Sequence, residues 1–351
     1  MIPIIDVGLI GFGFSGRTFH ASVLRAVPGL RLAAILQRHG VEAQAIYPDV
    51  RVVRSPDELL SMEQIRLIII ATPNGTHFDL ARRCLQANRN VVVDKPFTTT
   101  WREACELVDL AKKLGRLLAV YQNRRWDGDF LTVQRLLSSG MLGRLVLYES
   151  HFDRYRPHLR PNAWRERAEP GSGILLDLGS HLVDQALLLF GPPQTITAEV
   201  RMERERALTD DAFDIVLSYP RMRAVLRSTM LACTPGPRFV LHGTLGSFVK
   251  HGLDPQEEAL KRGETPGEGE RGKEQEAAWG TVSVAEDSRV SLRSIPTEAG
   301  DYRRFYQNVY EAISGRAELA VTPQQALDVM RALELVQDSS QKRGTVPWSS
   351  D

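Results

Sequence analysis

The 351-residue chain carries 44 Lys and Arg against 43 Asp and Glu, a formal net charge of +1, so no general attraction to nucleic acid or to an anionic membrane is built in, and a small-molecule partner is expected. Three cysteines (Cys84, Cys105, Cys233) follow no metal-ligand spacing and are odd in number, which argues against a disulfide framework and for a reducing compartment. No apolar run approaches the ~20 residues that span a bilayer, and the opening IPIIDVGLIGFG has neither a basic region nor a cleavage site, so a cytoplasmic protein is expected.

The length allows two cores. Residues 4–10 (IIDVGLI) read as a buried strand, after which GFGFSG turns the chain into the helix RTFHASVLRAV. LRLAAIL (30–36), IRLIIIAT (65–72), RNVVVD (89–94) and RLLAVY (116–121) are further short apolar strands, with THFDLARRCLQA spaced as a helix among them. Ser55-Pro56-Asp57-Glu58 and Thr100-Trp101-Arg102-Glu103 each fit a capping box, the first with proline at N1. Short apolar strands alternating with amphipathic helices predict an α/β domain with a doubly wound parallel sheet, ending near residue 121.

Residues 122–351 change character. LVLYESHF, ITAEVRM, DAFDIVLSY, RAVLRSTML and RFVLHGTLGSFVK are longer, half-alternating strands joined mostly by turns. They predict a second α/β domain with a large, mostly antiparallel open sheet. The charged, glycine-rich segment 254–280 reads as a long surface loop with too little apolar content to pack. Two helices close the chain, the second starting at a capping box, Thr322-Pro323-Gln324-Gln325, and burying Leu327, Met330 and Leu333.

Gly11-Phe12-Gly13-Phe14-Ser15-Gly16 fits G-x-G-x-x-G between a strand and a helix, the context in which that motif binds a dinucleotide pyrophosphate. An acidic residue at the end of the second strand would bond the ribose 2′-hydroxyl of NAD, whereas arginine suits the 2′-phosphate of NADP. The chain has Leu36-Gln37-Arg38-His39 there. Gln37 and Arg38 therefore favour NADP, with NAD possible and a merely solvated Arg38 the alternative. Further along, the apolar helix SGILLDLGSHLVDQALLLFG (172–191) carries Asp177, His181 and Asp184. At helical spacing these lie on one face. An imidazole beside a carboxylate is a candidate acid–base pair.

GLIGFGFSGRTFHA, ATPNGTH, DKP (94–96), QNRRWDGDFLT (122–132) and GSGILLDLGSHLVDQ (171–185) together resemble the glucose–fructose oxidoreductase/inositol dehydrogenase/rhizopine-catabolism (Gfo/Idh/MocA) family. The resemblance runs over nearly the whole chain, most like the NADP-dependent scyllo-inositol dehydrogenases. It implies a Rossmann domain and a domain with an open sheet used for homodimers or homotetramers. It implies catalytic roles for Lys95, Asp177 and His181. The cofactor would be held by the glycine loop, Gln37, Arg38, Thr72, Pro73, Asn74, His77, Asp94, Lys95, Asn123, Trp164 and Arg165. Two departures stand out: Asp94 replaces the family's usual glutamate, and Gln122 stands where close relatives often have histidine.

The function expected is hydride transfer between NADP(H) and a cyclic polyol or its ketone, with scyllo-inositol first. Lys95 would stabilise the alkoxide and His181 would act as general base. Asp177 would orient the imidazole or bind a substrate hydroxyl. Arg124, Tyr155 and Arg165 are candidate substrate contacts, with Arg154 and Arg156 in the same basic cluster, and Asp184 a candidate partner of Arg124 or Arg125. Alternatives are another sugar or cyclic-alcohol dehydrogenase, or a dinucleotide-binding regulator without turnover. A metal is not expected, since a third ligand beside Asp177 and His181 has no motif.

Overall fold

A computed structural model describes residues 3–160, 163–266, 272–286 and 289–348. It divides into two compact units, and the division is not contiguous. Residues 1–126 are joined by 256–271 and 301–327, while 127–255 are joined by 272–300 and 328–351. A single cut near residue 121 therefore misses two insertions.

In the first unit six strands, β1 (Ile5–Ile10), β2 (Leu30–Leu36), β3 (Arg51–Val53), β4 (Ile65–Ile70), β5 (Asn90–Val93) and β6 (Leu118–Val120), form a sheet in the order β3-β2-β1-β4-β5-β6. Every pair in it is parallel. Such a sheet is covered on both faces, which is why β1 is buried at all six positions. Helices α1 (Ser22–Arg25), α2 (Glu42–Ile46), α3 (Pro56–Leu60), α4 (His77–Gln86) and α5 (Trp101–Leu114) connect the strands. Thr100 and Glu103 make both bonds of a capping box on α5. Ser55 accepts from the Glu58 N–H, whereas Glu58 reaches back to Arg54 N rather than to the cap itself. The first helix departs from expectation: Gly16–Ala21 forms a π turn before α1 begins.

The strand-order reversal between β1 and β4 is the topological switch point of a doubly wound sheet, and ligands bind at the carboxyl ends of its strands. A late helix supports that region. Its residues Tyr302, Phe305, Tyr306, Val309 and Tyr310 are all buried in the core built on β1, β2 and β4. Phe305 meets Tyr121 at 4.8 Å and Trp126 at 5.9 Å, both edge to face. This apolar docking is the physical reason residues 301–327 belong to the first unit. The 254–280 segment is likewise more than loop, because it contains a helix, Gln256–Lys261, whose Leu260 joins the same core. Residues 267–271 of it lie outside the described residues.

The second unit is built on nine strands: β7 (Leu145–His151), β8 (Thr195–Arg201), β9 (Ala212–Tyr219), β10 (Met222–Thr229), β11 (Phe239–Gly243), β12 (Gly246–Lys250), β13 (Gly280–Glu286), β14 (Arg289–Ile295) and β15 (Val346–Pro347). Their order is β14-β13-β12-β11-β7-β10-β9-β8-β15, antiparallel except for the β7–β10 pair. Burial alternates along β8 and β10, so one face is packed and the other open. RFVLHGTLGSFVK is not one strand but the β11–β12 hairpin, turned at Thr244 and Leu245 between two glycines.

Helices α6 (Gly128–Ser138) and α7 (Ser180–Phe190) belong to this unit. Phe190 packs edge-on to Tyr148 of β7 at 5.3 Å. With α8 for Gln256–Lys261, α9 for Arg303–Ile313 and α10 for Pro323–Lys342, the helix numbering is complete. Thr322 and Gln325 make both bonds of the predicted cap on α10. Met330 and Leu333 are buried, and Leu327 is half-buried.

Phe305→Ala is expected to cost about 3–5 kcal/mol, the usual loss for a buried aromatic. Urea unfolding measures it. A cost below 1 kcal/mol would mean that α9 does not share the first unit's core.

Candidate active site

In the first unit, the residues expected to hold a cofactor follow the carboxyl ends of successive strands. Gly11 to Gly16 follow β1, Gln37 and Arg38 follow β2, and Thr72, Pro73, Asn74 and His77 follow β4. Asp94 and Lys95 follow β5, and Asn123 follows β6. The fold thus gathers at one sheet edge residues up to 112 positions apart in sequence.

The glycine loop fits a pyrophosphate. Gly11 has φ +98°, and a Cβ there would lie 2.4 Å from the Ala71 carbonyl oxygen. A Cβ on Gly16 would lie 2.0 Å from the Gly11 carbonyl oxygen. Both positions are closed by the protein itself. A Cβ on Gly13 would meet nothing within 4 Å, so the middle glycine faces open space at a helix start, where an anion is favoured.

Asp94 is the hub behind this loop. Its Oδ2 accepts from the Ser15 hydroxyl at 2.5 Å and lies 3.4 Å from His20 Nε2. Its Oδ1 accepts from the Lys95 backbone N–H at 2.8 Å. Burial alone would raise the Asp94 pKa. The neighbouring His20, with the Lys95 charge and the Ser15 hydroxyl, outweighs burial and holds the carboxyl well below the usual range. His20 Nδ1 in turn contacts the Tyr306 hydroxyl at 2.6 Å. His77 is buried between two carbonyl oxygens, Pro96 O at 2.9 Å from Nδ1 and Thr72 O at 3.0 Å from Nε2. A neutral ring donates to only one of them. Burial lowers its pKa despite the Asp94 charge and the carbonyls.

The turn after β2 contains a carboxylate that inspection of residues 36–39 does not reveal. Glu42, at the start of α2, accepts from the Gln37 side-chain amide, and Gln37 Oε1 accepts from Ala43 N–H at 2.9 Å. Its own backbone N–H, the Gln37 amide and Arg17 hold its carboxyl below the ordinary range. Arg54 donates to the carbonyls of Gln37 (2.7 Å) and Gly40 (2.9 Å), bracing the turn, while Arg38 is exposed. A turn that folds back to its own helix start has no signature in a four-residue window.

In the second unit, the 172–191 helix is not uniform. Leu175–Gly179 is a π turn, and only Ser180–Phe190 is α-helical. Asp177 lies within the wide turn, so α spacing does not place it on one face with His181 and Asp184. Burial agrees: from 171 to 186 every residue is buried except Asp177. Asp177 Oδ1 is 3.4 Å from Arg165 Nε, and its Oδ2 is 3.7 Å from Arg154 Nη1. The Arg165 guanidinium lies over the Trp164 ring at 4.5 Å, and Tyr155 is exposed nearby in sequence. A small cavity here is lined by Arg154, Arg165 and Asp177 together with Asp210 and Met230. Asp210 accepts from Leu175 N–H at 2.7 Å, which anchors the start of the π turn, and burial raises its pKa. Its role was not visible in sequence, because it lies 35 residues from the helix it holds. Arg124 and Arg125 belong to the first unit, where Arg124 pairs with Glu257 and Arg125 donates to Ala320 O and Gln325 Oε1. Among the described residues no group of three His, Cys, Asp or Glu side chains is placed to hold a metal ion.

Comparison with known proteins fits both units. Residues 5–122 match the model of the oxidoreductase family NAD-binding Rossmann fold, and residues 134–348 match its C-terminal alpha/beta domain. The chain belongs to the Gfo/Idh/MocA oxidoreductase family. Among other members, the uncharacterized oxidoreductase YdgJ of Escherichia coli is 44% identical over 97% of this chain and 98% of its own. The scyllo-inositol 2-dehydrogenase (NADP(+)) IolW of Bacillus subtilis is 36% identical over 98% and 96%. The solved structure of the YPO2259 oxidoreductase from Yersinia pestis superposes with a TM-score of 0.95 at 43% identity, covering 100% of this chain and 99% of that one.

The depressed His77 pKa fixes a sign. Below about 6.5 the unfolded chain takes up a proton that the folded chain refuses, so the histidine's contribution to stability falls as pH drops through that range. The stability advantage of the wild type over His77→Asn, measured by urea unfolding, is expected to shrink between pH 7 and pH 5. A gap independent of pH would contradict the buried neutral ring.

Proposed function

We propose that this family member is an NADP-dependent oxidoreductase that interconverts a cyclic polyol, scyllo-inositol first, and its ketone. The near full-length similarity to IolW carries the reading. NADP is favoured by the turn after β2, where Arg38 is exposed and the Glu42 carboxylate is engaged by Gln37. Asp177 and its two arginine neighbours present an acceptor and several donors of the kind that a polyol's hydroxyls can pair with.

The bound nicotinamide would accept or give the hydride. The protein's own part begins at the carboxyl end of β5, where the Lys95 ammonium stabilises charge developing on the reacting oxygen. His181 takes the hydroxyl proton in oxidation and returns it in reduction. Asp177, with Arg165 and Tyr155, binds neighbouring hydroxyls, and Trp164 backs Arg165. Asn74, His77 and Asn123 are buried at the strand ends and shape the cofactor side. The same reading assigns a cytoplasmic homodimer or homotetramer.

Initial rates of NADPH formation test it, with scyllo-inositol, myo-inositol and hexoses, and with NAD⁺ beside NADP⁺. Turnover of scyllo-inositol with NADP⁺ preferred is expected. NADPH binding without turnover of any polyol would favour the non-catalytic regulator. In the active enzyme, Lys95→Met should lower kcat by roughly 10²-fold or more, the order seen when a donor to a developing oxyanion is removed. Arg38→Ala should raise KM for NADP⁺ about tenfold or more, as loss of a charge-assisted bond requires, and leave KM for NAD⁺ unchanged.

A further inference from the structure

We propose that His20 is a positioning residue: it fixes the Asp94 carboxylate, which holds the glycine loop through Ser15 and the Lys95 backbone in one register. The proposal rests on the reading that places Lys95 at the reaction.

The local backbone brings the two side chains together. Ser15 and His20 are five residues apart, and on a regular α-helix they would point about 140° apart. The intervening Gly16–Ala21 turn is a π turn, which closes on the fifth residue and brings such a pair toward one side. Both side chains converge on the same atom, Asp94 Oδ2: Ser15 Oγ donates to it at 2.5 Å, and His20 Nε2 lies 3.4 Å away, within ion-pair distance but outside hydrogen-bond geometry. Ser15 makes no side-chain cap on its own helix, so its hydroxyl serves the carboxylate instead.

The imidazole, moreover, cannot swing away. His20 is fully buried. Its Nδ1 is held by the Tyr306 hydroxyl at 2.6 Å, and its ring lies 4.4 Å from that of Tyr121, which stacks on Tyr306 at 5.4 Å. Burial keeps the Tyr306 phenol protonated, with Tyr121 and the Asp94 charge acting in the same sense. Tyr306 is therefore a fixed hydroxyl on α9 that sets the ring plane. With one oxygen on Ser15 and His20 and the other on the Lys95 N–H, the carboxylate has little freedom left. Neither His20 nor Tyr306 is required to touch cofactor or substrate for this to act.

Three variants of the full chain test it: His20→Leu, which keeps bulk and loses both nitrogens; His20→Gln, whose amide nitrogen replaces Nε2; and Tyr306→Phe. Each is titrated with NADPH by fluorescence, assayed for turnover and melted. His20→Leu is expected to bind NADPH about tenfold more weakly and to lose about tenfold in kcat, the scale of one bond to a charged group, with polyol KM within about twofold. His20→Gln is expected to restore both to within about threefold, and Tyr306→Phe to weaken NADPH binding by about threefold with its melting temperature little changed. If the Leu and Gln variants match each other in binding and kcat, His20 only fills space and the proposal is overturned. If His20→Leu does not fold, unchanged NADPH binding by Tyr306→Phe overturns it. Wild-type NADPH binding without turnover would sink the functional reading, yet the binding comparison would still decide on His20.

Discussion

The Asp94 carboxylate keeps its charge where water is largely excluded, and much of the first unit is arranged around that requirement. Burying an ionised carboxylate without partners is far costlier than any single packing contact, so the group must be paired or protonated. Here both oxygens are engaged, by Ser15, by His20 and by the Lys95 N–H. Those partners sit on the glycine loop, the first helix and the end of β5. A requirement of one side chain thereby becomes a constraint on three backbone segments. It reaches further, because His20 is oriented by Tyr306, and Tyr306 comes from a helix some 200 positions after β5. The interrupted first unit is thus chemical as well as geometric, since the segment that completes the core also completes the polar chain.

The carboxylate of the second unit is handled differently. Asp177 keeps a partly open side chain and meets two arginines at 3.4 and 3.7 Å, longer than a tight charge-assisted bond. Partly exposed, loosely paired charges of this kind contribute little to stability. They are correspondingly easy to rearrange. The deeply buried charges of the same unit are instead fixed. Arg238 donates to Ser150 and Gln185 and lies 3.4 Å from Asp129, joining β7, α6 and α7. Removing one member would strand the other in the core.

Most of the fold was legible because its signals are local. β2 runs over Leu30–Leu36, the bounds its apolar run suggests, and the caps at Thr100 and Thr322 form as the residue spacing predicts. The positions expected to hold a cofactor in the first unit could be located for a related reason: each follows a strand end, and strand ends can be read one at a time. What stayed hidden depends on chain segments meeting, or on a period that changes. The docking of α9, the Asp210 bond to the helix at Leu175 and the grip of Gln37 on Glu42 are of the first kind. The two π turns are of the second, since a wheel at 100° per residue assumes the regularity they break. The β11–β12 turn had a local signal in Gly243 and Gly246, but the apolar run on both sides obscured it.

The two π turns share one physical logic. A π turn gives up regular helix geometry, and it persists where the direction of a side chain matters more than the regularity lost. Each of these two lies beside a carboxylate of its own unit, Asp94 in the first and Asp177 in the second. In the first, the wide turn lets residues five apart share one oxygen of a buried Asp94. In the second, it turns Asp177 out of a stretch that is otherwise buried from 171 to 186, while His181 and Asp184 remain inside. One irregularity pulls side chains in toward a charge and the other pushes a charge out toward solvent. A helix of uniform pitch could do neither at these positions without moving the glycine loop or uncovering the apolar residues around Asp177.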